Sequence, residues 1–265
     1  MSKGKAFLID VGIQNFLFPI RAFSKREEAG QPTIATISIK ARIMKEFEAE
    51  WINKFINIAH KHRETIGTDT LKTNIKDYVE ELHANSVQIE MEYPYFVEKT
   101  TPKSQEPCLM KYNCKYVGKY PSLDNDVKII FGIECPIITT YPVGNHSGPK
   151  KGYLPQLSKL FIEIEPNHNI FPEDVVDLAD KNSLSPIYSY VTKEDQQYII
   201  ERTQSDYHSS IDTTDSIRQS LAHNPEVNWF SINCSNLGMI HSYTTLISTE
   251  KSHWVPGSYF DMDEI

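Results

Sequence analysis

The chain lacks a dense Lys/Arg tract, a CxxC pair, an apolar run of membrane-spanning length and a low-complexity linker. Each absence removes a class of protein. With 27 Lys+Arg against 35 Asp+Glu, the net charge is -8, and a phosphate-backbone footprint is missing, so no nucleic-acid partner is expected. No segment approaches the roughly 20 apolar residues a bilayer requires, and "MSKGKAFLIDVGIQNF" carries no apolar run of signal-peptide length. No membrane partner and a cytoplasmic location are the expectations. Cys108, Cys114, Cys135 and Cys234 are scattered through a chain too long to need disulfide staples, and read as reduced core residues.

What is present is an ordinary globular composition, 40% hydrophobic and 23% charged over 265 residues. That length admits one large domain or two smaller ones. "TIATISIKAR" alternates as a half-buried strand does. Trp51, Phe55, Ile58 and Ala59, then Leu71, Ile75, Tyr78, Val79 and Leu82, fall at helical spacing. Strand patterns return in "SVQIEMEYPYFVEK", "CLMKYNCKYVGKY", "DVKIIFGIECPIITT" and "KLFIEIEP". Helical segments are then expected near residues 172–182, 193–204 and 213–223, and two alternating strands close the chain. Helices grouped between antiparallel strands predict an α+β fold. The order of elements is coarsely duplicated, with a boundary expected near residue 133.

"IEMEYPYFVEKTTPKSQEPCLMKY" carries, in order, Ile-Glu-Met, Pro-Tyr-Phe, Lys, Pro-x-Ser and Leu-Met-x-Tyr. This series resembles the type IB GTP cyclohydrolase I family, as do "VGIQNFLFPI" and "IYSYVTKEDQQYIIER". The resemblance implies tandem tunnelling-fold (T-fold) units, antiparallel sheets with helices packed on one face, here 1–133 and 134–265. It also implies a homo-oligomer, dimer or tetramer, with sites at subunit interfaces.

The family's chemistry needs a divalent metal held by Cys, His and Glu, whose bound water attacks the purine ring. The register of the Cys-Pro-Cys-Ser-Lys motif gives Tyr141-Pro142-Val143-Gly144-Asn145, and that of Gly-Ala-His-Asn-Gln-Arg-Ser gives 152–158, with Leu154 at the His. Pro186 stands at the Glu. All three ligands are replaced, so no metal and no cofactor is expected at these positions. Cys135, His146 and His168 lie near the same segment but match no ligand spacing. Partners of a triphosphate are lost as well: Trp51-Ile52-Asn53-Lys54 replaces His-Met-Ser-Arg, and Leu157 replaces an Arg, leaving Lys54 as one retained contact.

The resemblance leaves a small heterocyclic ligand as the expected partner. Glu201, fifteen residues after Pro186, matches the Glu that hydrogen-bonds the guanine edge, and a carboxylate can accept two N–H bonds from an amino-pyrimidinone. Gln156 and Ser158 keep the motif's polar positions and, with Lys54, are candidate substrate-binding residues. His241, in "GMIH", matches a family His and is a candidate proton shuttle; Gly238 and Tyr243 occupy the places of the neighbouring Glu and second His. Tyr141, Tyr153 and Lys150 populate the loop that would frame the metal and are candidate proton carriers. The sequence admits three readings: a diverged, metal-independent enzyme on a purine- or pterin-like heterocycle; a true GTP cyclohydrolase with a rearranged metal site; or a non-catalytic binding or regulatory paralogue.

Overall fold

The computed structural model describes residues 8–44, 51–121, 126–141, 153–238 and 241–251. They form one antiparallel sheet: β1 (Leu8–Ala22), β2 (Gln31–Met44), β3 (Ser86–Thr100), β4 (Pro107–Tyr120), β5 (Lys128–Thr140), β6 (Pro155–Pro166), β8 (Val227–Asn236) and β9 (Thr245–Glu250) lie side by side in that order, and the short β7 (Ser185–Pro186) pairs with β5. The helices are α1 (Trp51–Lys61), α2 (Thr68–Leu82), α3 (Pro172–Lys181), α4 (Lys193–Ser205) and α5 (Ser210–Ala222).

Strand alternation decides which face is covered. In β3, Val87, Ile89, Met91, Tyr93, Tyr95 and Val97 are buried, whereas Gln88, Glu90 and Glu92 turn to the other face. Phe55 and Ile58 of α1, with Leu71, Ile75 and Tyr78 of α2, close over the apolar side. Burying a side chain of this size contributes about 1.5–3 kcal/mol.

One feature departs from the sequence reading. β1 is a strand of fifteen residues where none was expected. Its pairing with β2 slips between Ile13 and Phe16, and Asn15 there has φ 55°. That bulge breaks the alternation a strand shows in sequence. β4 and β5 are paired from Asn113↔Glu134 to Lys119↔Lys128, so a single sheet runs through the described residues.

The seam between the early and late parts of the chain is polar. Glu173 Oε1 accepts from Ser24 Oγ, Lys25 N and Tyr95 Oη at 3.1, 3.0 and 2.7 Å. Lys99 Nζ lies 2.5 Å from Asp180 Oδ2 in a buried ion pair. The ammonium also sits 5.3 Å from the centre of the Tyr112 ring. Asp195 accepts from Lys103 N, Ser104 N and Ser104 Oγ while capping α4 through Thr192. Burial opposes ionisation of Asp195, but the donors from Ser104 and Thr192 outweigh it and hold the carboxyl well below the usual range.

Candidate functional site

β5 and β8 end, and β6 and β9 begin, at one margin of the sheet, where polar side chains replace apolar ones at inward positions. Gln156 and Ser158 precede Leu160, Ile162 and Ile164 on β6; Asn236 comes after Phe230, Ile232 and Cys234 on β8. Their hydrogen bonds run in one direction. Gln156 Nε2 donates to Thr139 Oγ1 at 3.2 Å. Ser158 Oγ donates to Asn236 Oδ1 at 2.7 Å, which leaves the Thr139 hydroxyl to donate to Ser158 at 2.8 Å. Asn236 Nδ2 then donates to Ser210 Oγ and Thr245 Oγ1 at 3.0 and 3.2 Å. Gln156 and Ser158 are buried, and these bonds occupy their side chains. They stand behind the wall of the site, where they fix its strands, and not on its surface.

The connection between α4 and α5 is tied to the same margin. Thr140 N donates to His208 O and His208 N to Thr140 Oγ1, both at 2.8 Å. His208 Nε2 lies 2.8 Å from Asn182 O, so that nitrogen carries the proton. Tyr153 N donates to Gln204 O, which brings the last turn of α4 beside β6. Thr139, Thr140, His208, Ser210, Asn236 and Thr245 were not anticipated as site residues.

An aromatic cluster lies over this framework. The Tyr141 and His241 rings are 6.4 Å apart, and His241 stacks on Tyr243 at 4.9 Å. Tyr153 meets Tyr207 at 5.4 Å. Gly238 is required where the chain turns back: a Cβ there would meet His241 O at 2.4 Å and Tyr243 O at 2.6 Å. The Glu of the resembled motif therefore has no room at this position in this loop.

Tyr141, Tyr153 and His241 thus share one margin. Glu201 lies on α4, three residues before the carbonyl that binds Tyr153; it is exposed and accepts from Gln197 Nε2 at 2.8 Å. Lys54 is not brought together with them. It lies near the opposite margin, where its ammonium donates to Glu81 O at 2.7 Å near the end of α2. Lys150, His146 and the rest of 142–152 lie outside the described residues.

The positions that correspond to the motif's Cys and His are neighbours, since Tyr141 N donates to Leu154 O at 2.8 Å. They carry a phenol and an isobutyl group. Pro186, at the third position, pairs with Ile137 on β5 and offers no side-chain donor atom. This set does not fit a zinc-type ion, which takes thiolate, imidazole and carboxylate ligands. Among the described residues, no group of three or more His, Cys, Asp or Glu is placed to hold one. No helix among them is long and apolar enough to cross a membrane.

The family model for "Type I GTP cyclohydrolase folE2" matches residues 3–246. Among curated proteins, the "GTP cyclohydrolase FolE2" of Geobacter sp. (strain M21) is 29% identical over 91% of this chain and 89% of its own length. That of Geobacter metallireducens is 27% identical over 91% and 90%, and that of Thermosipho africanus 25% identical over 88% of each. Among solved structures, the uricase from Arthrobacter globiformis superposes with a TM-score of 0.53, covering 97% of this chain and 98% of its own at 10% identity. Urate oxidase from Bacillus sp. TB-90 gives 0.54 over 92% and 99%, at 9% identity. These similarities establish a shared tunnelling fold and, at such identities, nothing about chemistry.

Proposed function

Because the chain belongs to the type I GTP cyclohydrolase FolE2 family, we propose that it is a diverged, metal-independent member acting on a purine- or pterin-like heterocycle that carries no triphosphate. The observation behind this reading is the Tyr141–Leu154 contact: the two positions read as the motif's Cys and His sit side by side and carry a phenol and an isobutyl group in place of thiolate and imidazole. In this reading, Glu201 accepts the paired N–H groups of the heterocycle. His241, stacked on Tyr243, moves the proton, and Tyr141, Tyr153 and Lys150 frame the ring and its exchangeable hydrogens. Gln156 and Ser158 hold the strands that carry these groups. The reaction in this reading is one of deamination, ring hydrolysis, aldol cleavage or isomerisation, each of which moves protons.

The two halves are read as tandem T-fold units. Strands β1 and β9 are open edges, and closure by a second copy, as dimer or tetramer, would satisfy them. Lys54 would then serve the margin of a neighbouring copy. The second reading, GTP cyclohydrolase activity with a rearranged metal site, is favoured by the names of the curated relatives.

Calorimetric titration with neopterin, guanine and urate, repeated on Glu201→Gln, tests the proposal together with metal analysis and a GTP assay. Binding lost in the variant, without GTP turnover, supports it. A fluorescent pterin formed from GTP by protein carrying one metal per subunit establishes the second reading instead.

A further inference from the structure

At the margin of the sheet opposite the candidate site, β2 and β4 end while β1, β3 and β5 begin. The register there sets a row of side chains on the face turned away from the helices: Lys40 stands opposite Gln88, Gln88 opposite Lys119, and Lys119 opposite Lys128. Directly opposed residues have Cβ atoms about 4.5–5.5 Å apart, and like charges so placed destabilise a sheet. Two other lysines of the same face, Lys115 and Lys159, are answered by Glu90, Glu92 and Glu134. Lys119 and Lys128 form no ion pair among the described residues, so their repulsion is not offset there.

A cleft of about 210 Å³ lies along this row, with Asp10, Lys40, Arg42, Ser86, Gln88 and Lys119 among its walls. Asp10 is the one carboxylate lining it, and the fold already uses that group: it accepts from Arg42 Nε and Nη2 at 2.8 and 3.1 Å and lies 3.3 Å from Lys40 Nζ. Four cations, Lys40, Arg42, Lys119 and Lys128, thus face one acid on a chain whose net charge is -8. The volume is below the roughly 300–1,000 Å³ of ordinary ligand pockets and suits one charged group better than a whole heterocycle. None of these wall residues falls in the segments that carry the family resemblance, and Lys54 is not among them.

We propose that this row is a binding site for a phosphate group, held between Lys119 and Lys128 on one side and Lys40 on the other. Ammonium groups act on phosphate oxygens as point charges, and their flexible four-carbon stems let all three converge. The Ser86 hydroxyl and Arg42 Nη1, which Asp10 does not take, donate from the wall of the cleft. An anion at this place turns a repulsion into two attractions, which accounts for two lysines set directly against each other. The phosphate is either the free ion or the end of a phosphorylated metabolite whose remainder lies outside the cleft.

Calorimetric titration of the full chain at low ionic strength, with inorganic phosphate and with ribose 5-phosphate, tests this on the parent, Lys119→Gln, Lys128→Gln and Glu201→Gln. One phosphate should bind per chain, and each lysine variant should weaken it about tenfold or more. Glu201→Gln should leave it unchanged, which separates this site from the proposed heterocycle pocket. Equal affinity for the two probes assigns the site to the free ion, and tighter binding of ribose 5-phosphate assigns it to the end of a metabolite; both support the site. Without phosphate, the lysine variants should melt about 1–3 °C above the parent, because the opposed charges are gone. No saturation by about 10 mM phosphate, affinity indifferent to Lys119 and Lys128, or a midpoint that does not rise overturns the proposal. So does a lower mass of the lysine variants in sedimentation, which would mean that the row seats carboxylates of a second copy.

Discussion

Lys99→Met removes the cation from a buried pair and leaves Asp180 without its partner. Only 8% of the Lys99 side chain and 16% of that of Asp180 are exposed, so solvent cannot replace the lost charge. Breaking such a pair costs about 3–5 kcal/mol, because the remaining ion stays desolvated. For a chain of this size, that lowers the melting midpoint by roughly 10 °C. The pH dependence is the sharper test. Burial pushes the Asp180 carboxyl above its usual range even with Lys99 beside it, and Lys99 offsets part of that rise. Without Lys99 the folded-state pKa climbs further above the unfolded value of about 3.9. A carboxyl raised in this way favours the folded state when protonated. Its contribution is fully present below the unfolded pKa and is lost as pH rises through the folded one. The deficit of Lys99→Met is therefore largest at neutral pH and shrinks on acidification toward pH 5. Thermal melts monitored by circular dichroism at pH 7 and pH 5, on the parent, Lys99→Met and Lys99→Met/Asp180→Leu, provide the comparison. The double variant should recover most of the loss, since an apolar replacement of both partners leaves no orphaned charge. A deficit below about 1 kcal/mol, or one of equal size at both pH values, would refute the reasoning.

Burial also sets two further outcomes. Ser158→Ala breaks the chain of hydrogen bonds from Gln156 to Asn236 and leaves Asn236 Oδ1 without its Ser158 donor; a destabilisation of about 1–3 kcal/mol is expected in urea melts. The four cysteines are buried and unpaired, and burial pushes the Cys234 thiol up to about 11 and Cys135 higher still. A thiol reagent at pH 7 should leave all four unlabelled in the native chain and label all four in urea; rapid native labelling of Cys135 or Cys234 would contradict their placement.

Much of this fold was legible in sequence because alternation and helical spacing are local signals. The helices expected near 172–182 and 193–204 appear as Pro172–Lys181 and Lys193–Ser205. β1 was hidden by its bulge at Asn15 and by Pro19 on an edge strand, where the missing N–H costs nothing. The site was legible only in part. Motif register singled out Tyr141, Tyr153 and His241, which the fold places at one margin, but the network beneath them depends on pairing between strands distant in sequence. Its one local trace is the run of Ser, Thr, Gln and Asn at inward positions of β5, β6 and β8, where apolar residues otherwise stand. Polar residues in step with a buried row have to be partnered, and that demand marks a network in the strand pattern alone.

The seam has a direction. Its acids, Glu173, Asp180 and Asp195, all come from the later part of the chain, and the groups that answer them from across the seam, Ser24, Lys25, Tyr95, Lys99, Lys103 and Ser104, all come from the earlier part. The later part of the chain presents carboxylates at the seam and the earlier part presents N–H, O–H and ammonium donors, so the two surfaces complement each other. A change of sign on one side of this seam therefore has to be answered on the other, which ties the early and late parts of the chain to one another far more tightly than their loops.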